Sequence, residues 1–239
     1  IKTRPSINEG INKICYVNGA QYAVPWIVDT IIFAGRKDYM AQLGINKDDV
    51  KNWEGLKEVS LRVRELREKE PEIPKALAVA LKLERDTIQR FFSVLWARGW
   101  DFPDLDQVPE RVIMDPVVLD AIKYFATIKK INDRPEDINK HPYQVNEDFY
   151  WHGLSVFYIG SWYGIIQRID RMEDKVDDYC VLPFPTSTGK TCSYGGGTVL
   201  AVSSKSVRKE EAWNFVQYLT NDDFMEQWAH MAVHAPASE

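Results

Sequence analysis

The chain has 239 residues, 45% hydrophobic and 27% charged, ordinary proportions for a folded chain that buries a core as one large domain or two smaller ones. Its net charge of -5 leaves no basic footprint for nucleic acid. No stretch approaches the roughly 18 consecutive apolar residues of a membrane-spanning helix.

In chain order, "KICYVNGAQYAVPW" from Lys13 alternates apolar residues around Asn18-Gly19, a pair that closes hairpins, so residues 13 to 33 are expected as short strands. "RKDYMAQLGI" is expected as a short helix stopped at Gly44. Trp53 to Glu68 places Leu56, Val59, Val63 and Leu66 at spacings of three and four, an amphipathic helix. Asp86 to Arg98 is a second, with Ile88, Phe91, Phe92 and Leu95 expected inward. Asp115-Pro116 is a cap followed by proline at the first helical position, opening a helix through Leu119, Ile122 and Phe125. "GLSVFYIGSW" has the length and apolar character of a buried strand, with a helix expected after it through Ile169. "DDYCVLPFP" and "TVLAVSS" are further strands. Helices over 207–219 and 221–231 close the chain, the second opened by Thr220-Asn221-Asp222-Asp223, close to a capping box. The alternation of helices and short buried strands is an α/β pattern.

Most chemical readings fail on spacing. "TGKT" at 188–191 lacks the first glycine of a phosphate loop, since Phe184 stands there, and is expected as a plain turn. His230 and His234 have the helical spacing of two zinc ligands, but Met231 replaces the glutamate that a zinc protease needs. His141 and His152 belong to no nucleophile motif. Cys15, Cys180 and Cys192 make no disulfide framework; Cys180 and Cys192 flank one Pro-rich turn and pair only if the compartment oxidises. No cofactor, metal or catalytic residue is expected.

The aromatic residues, 12% of the chain with 8 Trp and 11 Tyr, carry more. Trp26 follows "YAVP" where a strand is expected to end, and Trp162-Tyr163 follow Gly160-Ser161 at the end of another. Ligands of open α/β sheets bind at strand ends. Exposed rings suit the apolar C–H faces of sugars. The run Gly195-Gly196-Gly197 before "TVLAVSS" raises its own question, because bare backbone serves positive φ, a hinge, or close approach of another group.

Taken in order, "VNGAQYAVPWIVDTIIFAGRKDYMAQLGI", "NWEGLKEVSLRVREL", "WHGLSVFYIGSWYG", "VLPFPTSTGK" and "GGGTVLAVSSKSVRKEEAWNFVQYLTNDDFMEQWA" resemble segments of the extracellular solute-binding proteins of ABC importers, in the family that includes maltodextrin-binding proteins. The resemblance implies an α/β, periplasmic-binding-protein-like type II two-lobe fold with hinge crossings. Residues 1–26 then belong to lobe 1 and the first crossing, 27–182 to lobe 2, and 183–239 to the second crossing and the return to lobe 1. It also implies capture of a mono- or oligosaccharide in an interlobe cleft and delivery to a membrane permease. The protein is then a monomer, exported to the periplasm or the cell surface and anchored outside this segment. Trp26 and Asp29 fall on the family's ligand-contacting loop, Trp162 on its sugar-stacking tryptophan with Tyr163 beside it, Arg85 to Gln89 near its polar contacts, and Gly195 and Gly196 at the cleft border. Gly35-Arg36-Lys37-Asp38 departs from the family's "Y-N-K-D". The family's opening strand–helix–strand unit has no counterpart here, and the family continues beyond "HAP", so an incomplete first lobe that binds ligand poorly by itself is expected. Two other readings remain from the residues: a glycoside hydrolase, which needs facing carboxylates, and a sensing module on the same fold.

Overall fold

The structure, a computed structural model, describes residues 9–79, 85–101, 114–132, 141, 144–145, 149, 152–161, 176–232 and 235–236. In chain order its elements are α1 (Glu9–Lys13), β1 (Tyr16–Val17), β2 (Ala20–Gln21), β3 (Val24–Arg36), α2 (Lys37–Gln42), a 3-10 turn at Lys47–Val50, α3 (Trp53–Lys69), β4 (Lys75–Ala78) and α4 (Arg85–Ala97). There follow α5 (Pro116–Asn132), β5 (Ser155–Ser161), a 3-10 turn at Val176–Asp178, β6 (Tyr179–Leu182), β7 (Gly195–Leu200), α6 (Lys209–Leu219), α7 (Asp222–Ala232) and β8 (Ala235–Pro236). By internal contacts the chain divides into two compact units: Ile1–Thr30 with Gly195–Glu239 (unit 1), and Ile31–Tyr194 (unit 2).

In unit 2 the strands lie in the order β4, β5, second half of β3, β6. β4 and β5 run parallel, with Leu77 opposite Phe157 and Ala78 opposite Tyr158. β3 runs antiparallel to both β5 and β6, so that Phe33 faces Ile159 on one side and Leu182 on the other. Strands covered on both faces read as unbroken apolar runs. Accordingly, every residue from Ile31 to Arg36 and from Ser155 to Gly160 is buried.

Helices α3 and α5 belong to this core, with Leu56 and Val63 from one and Phe125 and Ile128 from the other joining Phe33, Leu77 and Phe157 in one cluster. α3 starts where expected because Asn52 caps it, its side chain accepting from the Gly55 N–H at 2.8 Å. α5 opens on Asp115, whose Oδ1 accepts from the Val117 N–H at 2.8 Å. Asn132 closes it, its Oδ1 taking the Leu77 N–H at 2.9 Å and tying helix to sheet. Ile122 is 45% exposed; the buried stripe runs through Val118, Ala121, Tyr124, Phe125 and Ile128.

In unit 1 the first half of β3 pairs with β7 on a register from Val24–Leu200 to Thr30–Gly195, and with β8 at Ile27 and Val28. The β1–β2 hairpin turns at Asn18 and Gly19, both at positive φ (50° and 78°), the geometry that makes Asn-Gly a hairpin pair. Ile11, Cys15, Val216 and Met225 are buried here. α7 is capped by Asn221, whose Oδ1 accepts from the Phe224 N–H at 2.8 Å, one residue later than the Thr220 start expected.

Candidate functional site

β3 is a single strand of 13 residues with an irregularity between Pro25 and Ile27, and this changes the setting of two candidate residues. Trp26 and Asp29 lie within the strand rather than on a loop beyond its end. The indole of Trp26 packs on that of Trp228 from α7, centroids 4.8 Å apart and planes 32° apart. Its Nε1 is buried, with no hydrogen-bond partner among the described residues. Asp29 stands opposite Gly196, and Thr30 opposite Gly195. The unit 1 ladder therefore brings together Asp29, Gly195 and Gly196.

The glycines themselves sit inside β7, not ahead of it, and none of the three has positive φ. Close approach accounts for one of them. A Cβ on Gly197 would lie 1.9 Å from the Ile27 carbonyl oxygen and 3.2 Å from Ile11, whereas one on Gly195 would meet nothing within 4 Å. Only hydrogen fits at Gly197 without moving backbone.

In unit 2, Arg85 opens α4 and Gln89 lies one turn along it. The inward face of this helix differs from the apolar reading. Ile88 is 49% exposed and Phe91 and Phe92 are half-buried, while Arg90, Ser93, Val94, Leu95 and Ala97 are buried. The reason is that part of the surface α4 meets is backbone, while Val94, Leu95 and Ala97 join apolar clusters. Ser93 Oγ accepts from the Tyr194 N–H at 2.9 Å and lies 3.3 Å from Ser193 Oγ. Ser193 in turn donates to the Ile31 carbonyl, and the Tyr194 carbonyl accepts from the Ile31 N–H at 3.2 Å. Arg90 Nε donates to the Ile159 carbonyl at 3.0 Å. Polar side chains on this face satisfy strand-end groups that leucines would leave unpaired.

A row of rings accompanies this network. Trp96 lies 5.4 Å from Phe92 at 23° and 6.3 Å from Tyr194 at 8°, all three half-buried. The sequence reading missed Ser93, Tyr194 and Trp96; the i, i+4 spacing of Phe92 and Trp96 was the available signal. Trp162 and Tyr163, and the helix expected after them, lie outside the described residues, as do the His230 and His234 side chains. β5, which leads to Trp162, ends at Ser161.

The "TSTGK" stretch is a turn held by Thr186, whose hydroxyl bonds the Ala97 carbonyl at 3.0 Å and the Thr188 N–H at 3.1 Å. Cys15, Cys180 and Cys192 are free thiols, each pushed up from its ordinary pKa by burial. Among the described residues no group of three or more His, Cys, Asp or Glu is placed to hold a metal ion.

At the far end of β3, Arg36 grips Asp38 through two guanidinium nitrogens and lies 4.0 Å above the Tyr39 ring. Burial alone would raise the Asp38 carboxyl, but the hydrogen bond and charge of Arg36 and the backbone N–H groups of Tyr39 and Asp38 together outweigh it and hold the group below its usual range. Tyr179, 5.5 Å from the same guanidinium, is pushed up to about 12, chiefly by burial. Of Gly35-Arg36-Lys37-Asp38, Arg36 and Asp38 thus form an ion pair with Tyr39 and Tyr179 beside the guanidinium.

Comparison with known proteins places this architecture. A family model described as bacterial extracellular solute-binding protein matches residues 2–226. An ABC transporter solute-binding protein from Thermotoga lettingae TMO, bound with alpha-D-tagatose, is 21% identical, with 98% of this chain and 58% of that one covered at a TM-score of 0.79. Maltose-bound MalE3 of T. maritima is 22% identical, covering 98% and 59% at 0.80. An ABC substrate-binding protein of Listeria monocytogenes in complex with cycloalternan is 16% identical, covering 100% and 58% at 0.75. The chain thus spans somewhat under three fifths of the length of these neighbours. At such identities the likeness establishes the fold, the α/β type II periplasmic-binding-protein fold that the sequence leads one to expect. With the family model matched over nearly its whole length, the chain belongs to the bacterial extracellular solute-binding proteins.

Proposed function

We propose that this chain is part of the substrate-binding component of an ABC importer that captures a carbohydrate and delivers it to a membrane permease. The observation that carries the proposal is the family match over residues 2–226. Solved neighbours of the same fold that hold tagatose, maltose or cycloalternan support the choice of carbohydrate. The protein is exported, works as a monomer, is anchored to the membrane outside this segment, and carries out no covalent step.

Residues 27–182 form the second lobe, and the segments on either side form the first lobe and its crossings. Capture is then a hinge equilibrium that the ligand shifts by touching both lobes. Trp162 is the ring on which a sugar stacks, with Tyr163 beside it. Asp29 accepts from sugar hydroxyls. Arg85 and Gln89 contribute polar contacts from α4, and Gly195 and Gly196 border the ligand. Trp26, already packed against Trp228, offers at most its other face.

A thermal-shift screen of mono- and oligosaccharides on the full-length protein, followed by calorimetry on the hits, tests this. A sugar hit whose affinity falls by about 1–3 kcal/mol in Trp162→Ala, with the fold retained, is the expected result. Turnover of the sugar, or binding of non-carbohydrate solutes alone, overturns the reading.

A further inference from the structure

The chain passes between the units at two peptide bonds, Thr30–Ile31 in β3 and Tyr194–Gly195 at the head of β7. These joints are neighbours in one ladder. Gly195 stands opposite Thr30, and the next pair on that register is Tyr194 with Ile31, whose N–H donates to the Tyr194 carbonyl at 3.2 Å. In a regular antiparallel pair of this kind the Tyr194 N–H would return to the Ile31 carbonyl. Here serine hydroxyls meet both groups. Ser93 Oγ from α4 accepts from the Tyr194 N–H at 2.9 Å, and the Ser193 hydroxyl donates to the Ile31 carbonyl.

Ser93 is fully buried, and its own proton goes to the Gln89 carbonyl at 2.9 Å, one turn back in the helix. One oxygen therefore ties the first half of α4 to the segment that leads out of unit 2. Arg90 Nε holds the same helix to the Ile159 carbonyl at 3.0 Å, so α4 is itself fixed to the sheet. Past the joint the chain loses its side chains. A Cβ on Gly195 would meet nothing within 4 Å, whereas one on Gly197 would lie 1.9 Å from the Ile27 carbonyl oxygen. Gly195 and Gly196 are thus bare backbone between two fixed points, the serine pin before them and the close approach after them. Hinges concentrate their dihedral changes in a few residues of this kind.

We infer that Ser93 is a positioning residue for closure. It pins Tyr194 to unit 2 and thereby confines bending to Gly195–Gly196 and the facing residues Asp29–Thr30. This rests on the hinge reading proposed above and adds the side chain that sets where the hinge begins. Because Gln89 shares the Ser93 hydroxyl, the first half of α4 and the fixed end of the hinge move as one body.

The test is double electron–electron resonance on the full-length protein without ligand, with nitroxides carried on non-natural residues so that the free thiols are left alone. One label pair, at Glu58 and Glu210, reports between the units; a second, at Glu58 and Lys130, reports within unit 2, and all of these positions are exposed. Ser93→Ala should broaden the Glu58–Glu210 distance distribution and leave the Glu58–Lys130 distribution at its parent width. Ser193→Ala, which removes the bond to Ile31 and keeps the one to Tyr194, should broaden the first distribution by less. Broadening of both distributions in Ser93→Ala would mark a merely structural residue and overturn the inference. An unchanged Glu58–Glu210 distribution overturns it too, and the hinge reading stands if that distribution is wider than the Glu58–Lys130 one in the parent. Equal widths for the two pairs, in the parent and in Ser93→Ala alike, overturn the hinge as well. If Ser93→Ala does not fold, Ser193→Ala decides alone.

Discussion

Units 1 and 2 share strand β3 and differ in how each half of it is protected. From Ile31 onward the strand is buried at every residue, in a sheet whose helices α3 and α5 bring Leu56, Val63, Phe125 and Ile128 into one cluster with Phe33 and Phe157. From Trp26 to Thr30 no residue of the same strand is fully buried. α6 buries only Val216 among its described residues, while Phe215 and Tyr218 are 60% and 58% exposed. Among the described residues, unit 2 thus carries the larger core, while unit 1 shows its backbone ladder and a few side-chain contacts such as Trp26 on Trp228. Stability in this molecule is expected to be unevenly distributed, with side-chain packing dominant in unit 2 and strand pairing dominant in unit 1.

The largest test is in the packed unit. Phe157 is fully buried and stacks on Phe33 at 5.3 Å, so Phe157→Ala should cost about 3–5 kcal/mol in denaturant unfolding. A loss under 1 kcal/mol would break the claim that packing dominates there. In the ladder-held unit the sharper test is a glycine pair. Gly197→Ala forces a methyl into the Ile27 carbonyl and should cost about 1–3 kcal/mol, whereas Gly195→Ala, which meets open space, should be near neutral. Equal effects of the two would show that the β3–β7 approach is not what holds unit 1.

A smaller effect is expected at the end of unit 2. Asp38 has a depressed pKa in the folded state, so its pairing with Arg36 stabilises above the unfolded carboxylate range and is lost as pH falls through the folded value. The carboxylate is a third exposed, so Asp38→Asn should cost less than about 1 kcal/mol at pH 7, and the difference from the parent should vanish in acid melts. A difference that grows on acidification would reverse the sign argued here. The smallest effect is on α6. Phe215→Ser should change the unfolding free energy of the 239-residue chain by no more than about 0.5 kcal/mol, because the ring is mostly in water. A large loss would mean that unit 1 has more side-chain core than its burial indicates.

Legibility in the sequence followed the same division. Asp115 and the Asn18-Gly19 turn announced their elements correctly because capping and turn chemistry are local. The unbroken run of β5 announced a strand covered on both faces. β3 was not legible as one strand, because Pro25 punctuates it and only its partners, β7 on one half and β5 and β6 on the other, keep it extended. The inward face of α4 was misread because an apolar stripe predicts apolar surroundings. Arg90 and Ser93 are inside because they face carbonyl and amide groups of segments far away in the chain. At the candidate site, the pairing of Asp29 with Gly196 depends on a register between distant segments, which no local pattern encodes.

That register has a consequence for the order in which the protein is made. The sheet of unit 1 joins residues such as Thr30 and Gly195, which leave the ribosome at widely separated times, with the whole of unit 2 synthesised between them. Unit 2 is contiguous and has its core residues in hand once Tyr194 has emerged. It is expected to fold first, leaving residues 24–30 as an unpaired edge tethered to a finished sheet. Until β7 arrives, that edge is open to pairing with other chains. The nascent protein is therefore most vulnerable to aggregation in the interval before Gly195–Leu200 is translated, and a chaperone would act most usefully there.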